Sequence, residues 1–361
     1  MSYQDEMKRD LTLKLRELLK EMPGFCREYF RGIEPSSSER TRLGYARDLS
    51  IFFDFLLLDD DELRDKKRSE ITLEDLKRVN SSKIEEFLDY VTYYNNREDK
   101  EFSNGENGKA RKLAAVRSLF KYLYRHEQLP SNPASLVGTP KIHEKTIVRM
   151  DVDEIARFLD GVESGEKLTK KQQAFHKASK VRDLAIMTLL LGTGLRVSEC
   201  VGLDIRDVDF NHNGVHIVRK GGNEAIVYFG SEVREALKDY LVERQEIQAL
   251  PGHENALFLS LQKRRITVRS VENLVKKYSE NVITMKHISP HKLRSSYGTE
   301  LYNETGDIYL VADVLGHKDV NTTRRHYAQL EDARRREAAK YVKLRSEDDK
   351  PEGNDEPPKS E

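Results

Sequence analysis

The feature that most constrains the fold is a change of pattern near residue 138. Before it, apolar residues recur at helical spacing in four stretches, which is typical of short amphipathic helices packed into one module. After it, helical stretches alternate with short runs rich in β-branched residues. The segment 138–148 between them contains a glycine and a proline and lacks apolar periodicity, which is typical of a linker. We therefore predict two domains, a helical one over residues 1–137 and a mixed one over 149–345.

The four N-terminal stretches each predict a helix with one apolar face. The second has serines at 36–38 that can cap its first turn. The apolar positions are Leu11, Leu15, Leu18 and Leu19; Tyr45, Leu49, Phe52, Phe53 and Leu56; Ile84, Phe87, Leu88 and Val91; and Leu113, Val116, Leu119, Phe120 and Leu123.

The C-terminal domain is predicted to combine helices with a small sheet. Two β-rich runs, 215–219 and 225–229, flank Lys-Gly-Gly-Asn, a turn sequence that indicates a hairpin. Residues 256–259 are expected to form a third short strand. Helices are expected over 151–159, 180–191, 268–280, 291–304, 308–315 and 331–344. The predicted fold class is mainly α with a small antiparallel β-sheet.

Charge is distributed unevenly along the chain. The formal net charge is zero, with 62 basic and 62 acidic residues. The segment 346–361 holds seven acids against two lysines, an excess of five, so the remaining chain carries five excess positive charges. Polar, proline-bearing and without aromatic residues, this segment is predicted to be a disordered acidic tail. The charge on the rest is compatible with a basic face that binds phosphate.

Composition also indicates a cellular location. No run approaches the ~20 apolar residues of a membrane span, and the first residues lack the apolar core of a signal peptide. The two cysteines, Cys26 and Cys200, have no metal-ligand neighbours, and we expect buried free thiols in a reducing cytoplasm.

Several cationic residues stand in motifs that suit a phosphate group. Arg196 follows two glycines in Leu-Gly-Thr-Gly-Leu-Arg-Val-Ser-Glu, and Glu199 lies three residues on, where it could orient the guanidinium. Lys220 occupies the predicted hairpin turn. Arg219 beside it is a competing cation and a candidate DNA contact. An arginine fork can bind two phosphate oxygens at once. Taken singly, each residue is explained as well by a surface ion pair or a solvated turn.

A second group follows toward the C-terminus. His291 and Arg294 share one face at the start of a predicted helix, where the positive helix end suits an anion. His317 ends Leu-Gly-His, and Tyr327 closes Thr-Thr-Arg-Arg-His-Tyr. Each could equally be structural, since the chain has 16 tyrosines. Together the set provides what metal-free attack of a side chain on a phosphodiester requires: charge stabilisation, proton transfer and a nucleophile.

The order and spacing of these motifs resemble those of the tyrosine recombinase (phage integrase) family, from about residue 151 to 344. The resemblance implies that Tyr327 is the nucleophile in a pocket of Arg196, Lys220, His291, Arg294 and His317, with Glu199 in support. It also implies a helical core-binding domain that closes a C-shaped, two-domain clamp on double-stranded DNA. Neither metal nor other cofactor is implied.

Within the family, residues 21–30 and 118–123 resemble the single-recombinase Xer proteins. That likeness implies a tetramer on two sites, resolution of chromosome dimers at a dif-like site, and a FtsK-type translocase as a partner. One departure from the family pattern is visible. Tyr327 lies ten residues after His317, whereas nine is usual, and His326 occupies the usual place.

Two further interpretations remain open at this point. The fourth N-terminal helix offers a basic face for DNA, or simply a solvated one, at Lys109, Arg111, Lys112, Arg117, Lys121 and Arg125. The helix over 331–344 is expected to dock either on a neighbouring protomer, as the family implies, or on its own domain.

Other functions are considered beside the Xer role. A mobile-element integrase would share the chemistry, and a type IB topoisomerase uses a similar one, but the glycine-rich Arg196 motif and the linker favour a recombinase. A DNA-binding protein without catalysis would lack some of the required residues. A metal site at His287, His291, His317 and His326 is disfavoured because no carboxylate or cysteine joins them at ligand spacing.

Overall fold

The computed structural model describes residues 3–95, 99–142, 148–219, 222–283, 286–317 and 320. The chain divides into two compact units, Met1–Lys145 and Thr146–Glu361. The described residues are mainly helical with two small antiparallel sheets, which confirms the predicted fold class. Among them, no helix is both long and apolar enough to span a bilayer.

The described part of the first unit, residues 3–95 and 99–142, contains six α-helices and one hairpin. They are α1 (Tyr3–Lys20), α2 (Phe25–Gly32), α3 (Glu39–Asp59), α4 (Leu73–Lys77), α5 (Ser81–Tyr90), β1 (Tyr93–Asn95), β2 (Glu101–Ser103) and α6 (Glu106–Arg125). The four predicted helices correspond to α1, α3, α5 and α6. Two further helices, α2 and α4, and the β1–β2 hairpin were not predicted, because each is too short for a periodic pattern to emerge.

Helix α3 is the centre of this unit and packs against both α1 and α6. It begins at Ser38, whose hydroxyl accepts a hydrogen bond from the Thr41 N–H at 3.2 Å, so the predicted serine cap is confirmed. Its Phe52 ring meets Phe87 of α5 edge to face at 5.1 Å and Phe120 of α6 at 6.3 Å. Such aromatic contacts, fully buried, join the three helices into one core.

The described part of the second unit contains eight helices and a three-stranded sheet. They are α7 (Val152–Ser164), α8 (Lys170–His176), α9 (Lys180–Thr193), α10 (Val197–Gly202), β3 (Val208–Asp209), β4 (Gly214–Val218), β5 (Glu224–Tyr228), α11 (Ser231–Glu246), α12 (Val268–Val282), α13 (Pro290–Thr305) and α14 (Ile308–Leu315). The helix predicted over 331–344 and the tail 346–361 lie outside the described residues.

Helix α9 runs through the middle of this unit, with α7, α11 and α13 packed around it. Ten of its fourteen residues are buried, which is why its sequence is apolar on nearly every side. Its buried Asp183 accepts hydrogen bonds from Arg182 at 2.6 Å and from the Tyr278 hydroxyl of α12 at 2.7 Å. A buried carboxylate needs such partners, and the hydrogen bond from Tyr278 joins α9 to α12.

The sheet has the antiparallel order β3-β4-β5, and the predicted hairpin is its β4–β5 pair, with Val218 opposite Glu224. The third strand predicted at 256–259 is wrong. Ala256 and Leu259 each form only an isolated bridge, to Asp204 and Arg265. The segment is held instead by side chains, because Arg244 Nε donates to the Ala256 carbonyl at 3.0 Å. Its apolar residues are buried in the core without belonging to a sheet.

Candidate active site

Arg196 is presented at a sharp reversal between α9 and α10. Gly194 ends α9 in the left-handed conformation, with φ +62°, and its N–H donates to the Leu190 carbonyl at 3.1 Å. Arg196 then begins α10. The Glu199 carboxylate accepts from the Arg196 backbone N–H and from Arg196 Nη1, both at 2.8 Å. The guanidinium is therefore oriented by a nearly buried acid while about a third of the side chain stays exposed.

Arg294 comes from α13 and is buried. Its Nη1 donates to the Gly194 carbonyl at 2.6 Å, and its Nη2 donates to the Leu315 carbonyl at the end of α14. A buried guanidinium needs acceptors for its donors, and here backbone carbonyls supply them without neutralising the charge. Because Gly194 is two residues before Arg196, Arg294 is also tied to the turn that presents the first arginine.

Helix α14 ends in a tight turn immediately before His317. Gly316 has φ +61°, its N–H donates to the Asp313 carbonyl at 2.8 Å, and the His317 N–H donates to the Ala312 carbonyl at 2.9 Å. This is the Schellman arrangement, in which a left-handed residue just beyond the helix satisfies part of its unpaired carbonyls. The remaining acceptor capacity of the last turn stays available for other donors.

Three arginines use that capacity. Arg219 Nη1 and Nη2 donate to the Asp313 carbonyl at 3.1 Å and the Val314 carbonyl at 2.8 Å. Arg294 binds the next carbonyl, that of Leu315, and Arg196 Nη2 binds the one after it, that of Gly316, at 3.2 Å. We refer to Arg196, Arg219 and Arg294 on this helix end as the arginine cluster. The negative end of the α14 dipole offsets their mutual repulsion.

The arrangement suits a dianionic or monoanionic phosphate. Two forks bind successive carbonyls, and three like charges gathered at one helix end attract an anion strongly. Stabilisation of charge that develops on phosphoryl oxygens is the chemical task such a pocket can perform.

The other predicted catalytic residues are placed as follows. His291 is exposed in the first turn of α13, one turn before Arg294, and His317 is half-buried directly after the turn of α14. Lys220 and Tyr327 lie outside the described residues. Within the described ranges, no three His, Cys, Asp or Glu side chains gather into a metal-binding group.

The predicted basic face of α6 needs one correction. Lys112 is buried, and its Nζ donates to the Asn104 side chain at 2.7 Å and lies 4.0 Å from the Asp48 carboxylate. Burial lowers the pKa of Lys112 and raises that of Asp48, although the two opposite charges partly offset both changes. Lys112 therefore belongs to the interior and not to an exposed surface.

The other five cations of α6 differ in their freedom to bind DNA. Arg111 is exposed but held at 2.8 Å by Asp48, and Lys109 lies 3.8 Å from Glu106. Arg117 donates to the carbonyls of Ala134 and Val137 and to the Thr139 hydroxyl, so its fork is already occupied. Lys121 and Arg125 are exposed near the end of the helix.

Sequence reasoning missed how Arg219 and Asp48 act. The sequence suggests only a DNA contact or a rival to Lys220 at Arg219, because backbone carbonyls as acceptors leave no mark in the sequence. Asp48 did leave a signal, since an aspartate inside the apolar stripe between Tyr45 and Phe52 must find a cation when it is buried.

Comparison with known proteins agrees with this architecture. Residues 149–334 match the phage integrase family. The chain is 31% identical over 313 residues to tyrosine recombinase XerC of Actinobacillus pleuropneumoniae serotype 7, covering 85% of this chain and 90% of the relative. It is 31% identical over 341 residues to tyrosine recombinase XerS of Streptococcus equi subsp. zooepidemicus, covering 88% and 95%.

A solved structure of the XerH site-specific recombinase, bound to palindromic difH substrate, shares the fold with a TM-score of 0.62. The match has 21% sequence identity and covers 84% of this chain and 80% of that one. The chain belongs to the phage integrase family, and it is a tyrosine recombinase, as its motifs predicted.

Proposed function

We propose that this tyrosine recombinase resolves chromosome dimers by site-specific recombination at a dif-like site. The XerC and XerS relatives, each matched over most of both chains, support a Xer-type role. The proposed setting is the cytoplasm, where a tetramer on two sites serves chromosome partition at cell division. A FtsK-type translocase is the proposed partner that sets direction.

The single observation that carries the proposed chemistry is the pairing of Arg196 and Arg294 on successive carbonyls of the α14 end. In the proposed mechanism these two forks hold the non-bridging oxygens of the scissile phosphate. Each such donor stabilises the transition state by about 3–4 kcal/mol in other enzymes. Glu199 keeps the Arg196 fork oriented throughout.

The proposed first step forms a bond between the Tyr327 oxygen and phosphorus and breaks the bond from phosphorus to the 5′ oxygen. Lys220 delivers a proton to the departing oxygen, and His291 and His317 assist proton movement and phosphate binding. Free tyrosine titrates near ~10, and in the proposed mechanism the cations of the pocket favour the ionised form of Tyr327. A 5′ hydroxyl of the partner strand then attacks the 3′-phosphotyrosine, which restores the phosphodiester and releases the tyrosine.

The N-terminal unit is proposed to bind the duplex through the exposed cations of α6, chiefly Arg111, Lys121 and Arg125, with Lys109 nearby. Phosphate contacts of this kind set position and not sequence preference. The segment 331–344 is proposed to dock on a neighbouring protomer and so link the tetramer.

A nicked suicide duplex tests the proposal. A duplex carrying a candidate dif-like site, nicked near the cleavage point, should trap the protein covalently on DNA in the presence of EDTA. Tyr327→Phe should abolish the adduct and leave the gel shift intact. Tyr309→Phe is the matched control, because Tyr309 is a highly exposed tyrosine of α14 and its loss should change nothing.

Two outcomes contradict the proposal at different levels. An adduct that persists in Tyr327→Phe removes the proposed nucleophile. Efficient trapping on the ends of a mobile element, with none on any dif-like site, replaces the Xer role by integration.

A further inference from the structure

We infer that Arg219 is a positioning residue for the phosphate pocket, acting through the last turn of α14 on Arg196 and Arg294. The inference rests on the proposed function, because it assigns Arg219 to the same reaction. It differs from a DNA contact or a proton donor, the two roles that the sequence suggests for a cation in this hairpin.

The hairpin fixes the backbone of Arg219. This residue follows β4 directly, its N–H donates to the Asn223 carbonyl at 2.8 Å, and its carbonyl accepts from the Gly222 N–H at 3.1 Å. The side chain starts from a closed turn and reaches across to another element. Because the backbone is already fixed, ordering Arg219 on another element costs only the conformational entropy of its side chain.

The Arg219 guanidinium binds the last turn of α14. Both of its terminal nitrogens are engaged with carbonyls, those of Asp313 and Val314. The group also lies directly over Gly316, where an added Cβ would stand 2.8 Å from Arg219 Nε and closer still to the rest of the fork. Gly316 is thus required twice, for its φ of +61° and for the space that Arg219 occupies.

The position of Arg219 affects the next two carbonyls of α14. Leu315 and Gly316, one and two residues beyond Val314, accept from Arg294 and Arg196. Because both forks donate to carbonyls of the last turn of α14, a shift of that turn displaces the two acceptors together. Misplacement of catalytic groups by about 1 Å costs up to roughly 100-fold in rate.

The chemistry of the substrate can report which step Arg219 affects. A methylphosphonate at the scissile position replaces one charged non-bridging oxygen by a methyl group, so it needs less help from arginines. A 5′-bridging phosphorothiolate supplies a leaving sulfur that needs no proton. A residue that acts through the arginines should be rescued by the first substrate and not by the second.

The experiment measures initial rates of covalent adduct formation with the three suicide duplexes. Arg219→Ala should react about 10- to 100-fold more slowly on the ordinary phosphodiester. The gap to the unaltered protein should close to about threefold or less on the methylphosphonate and stay unchanged on the phosphorothiolate. Gly316→Ala, which displaces the fork from the other side, should show the same pattern. Arg269→Ala is the control, because Arg269 is an exposed arginine of α12.

Three results would overturn the inference. Rescue by the phosphorothiolate would make Arg219 act on the leaving oxygen, rescue by neither substrate would make its role only structural, and an unchanged rate would leave it without a role. The variant Arg196→Ala distinguishes these three results for Arg219 from failure of the proposed function. If methylphosphonate does not rescue Arg196→Ala, or if Tyr327→Phe still forms adduct, the proposed mechanism itself fails.

Discussion

Gly194→Ala is the substitution for which the structure best defines the loss in free energy of unfolding. The glycine has φ +62°, a conformation in which residues with a side chain are strained. A Cβ at this position would lie 2.9 Å from Leu315 Cδ2 and 3.1 Å from Tyr297 Cε1, and closer still to another ring carbon of Tyr297. The substitution therefore combines backbone strain with overpacking at the turn that presents Arg196.

The magnitude follows from two separate contributions. A left-handed backbone costs roughly 1–2 kcal/mol for a residue with a Cβ. An extra methyl group in a packed site costs about 1–3 kcal/mol. We expect Gly194→Ala to lower the free energy of unfolding of the second unit by about 2–5 kcal/mol, which is roughly 30- to 5,000-fold in the population of the open state.

The two cysteines allow each unit to be measured separately. The chain has one in each unit, Cys26 and Cys200, and both are buried. Burial, with a smaller contribution from the charge of Glu199, raises the pKa of the Cys200 thiol to about 12. Only thiolate reacts with an alkylating agent, so labelling reports opening of the surrounding structure. Peptide mass spectrometry after iodoacetamide labelling then gives a rate for each cysteine.

Two glycines of the same unit serve as matched controls. Gly252 has φ +85° and nothing near its Cβ position, so Gly252→Ala carries strain alone. Gly230 has an ordinary φ of −81° and equally open space, so Gly230→Ala adds neither left-handed strain nor a clash and loses only the preference for glycine over alanine at the N-cap of α11. Labelling of Cys200 should rank Gly194→Ala fastest and Gly230→Ala slowest, while labelling of Cys26 stays constant. Equal rates for Gly194→Ala and Gly252→Ala would refute the packing argument.

Two further predictions concern charged pairs. Glu199→Gln should slow adduct formation about 10- to 100-fold without weakening the gel shift, because Arg196 loses a charge-assisted partner worth roughly 1.5–3 kcal/mol; a weaker gel shift with an unchanged rate would contradict this. Lys112→Met should destabilise the first unit by about 3 kcal/mol, seen as faster Cys26 labelling, because Asp48 stays buried with one partner fewer. The double variant Lys112→Met with Asp48→Leu should recover most of that loss, and failure to recover would show that the pair is not the cause.

The sequence predicted best those elements whose signals are local. The serines at 36–38 predicted the start of α3, which Ser38 caps, and the helix expected over 308–315 coincides with α14. The Gly-Gly-Asn turn located the β4–β5 hairpin. Helix α11 was missed because it is largely charged, although Val233, Leu237 and Tyr240 recur at helical spacing and are buried.

The site was predictable only in part, for a physical reason. The ordered series of motifs indicated that Arg196 and Arg294 act together, and the fold brings both to one helix end. That the meeting point is a row of backbone carbonyls was not predictable, since every residue has one. Lys112 was misplaced because the expected face ignored its position beside Leu113 and one turn from Val116, on the apolar side of α6.

The use of carbonyl acceptors has a consequence for divergence within the family. A side-chain substitution at Asp313, Val314 or Leu315 leaves the oxygen that each residue offers to an arginine in place. Descendants of this chain can therefore drift at those three positions, within the limits of helix formation and packing, and still keep the same anchorage. The two glycines, 194 and 316, lack that tolerance, and the buried Leu315 accepts only apolar residues of similar size. Mutational scanning should therefore show two intolerant points and a permissive pair at Asp313 and Val314.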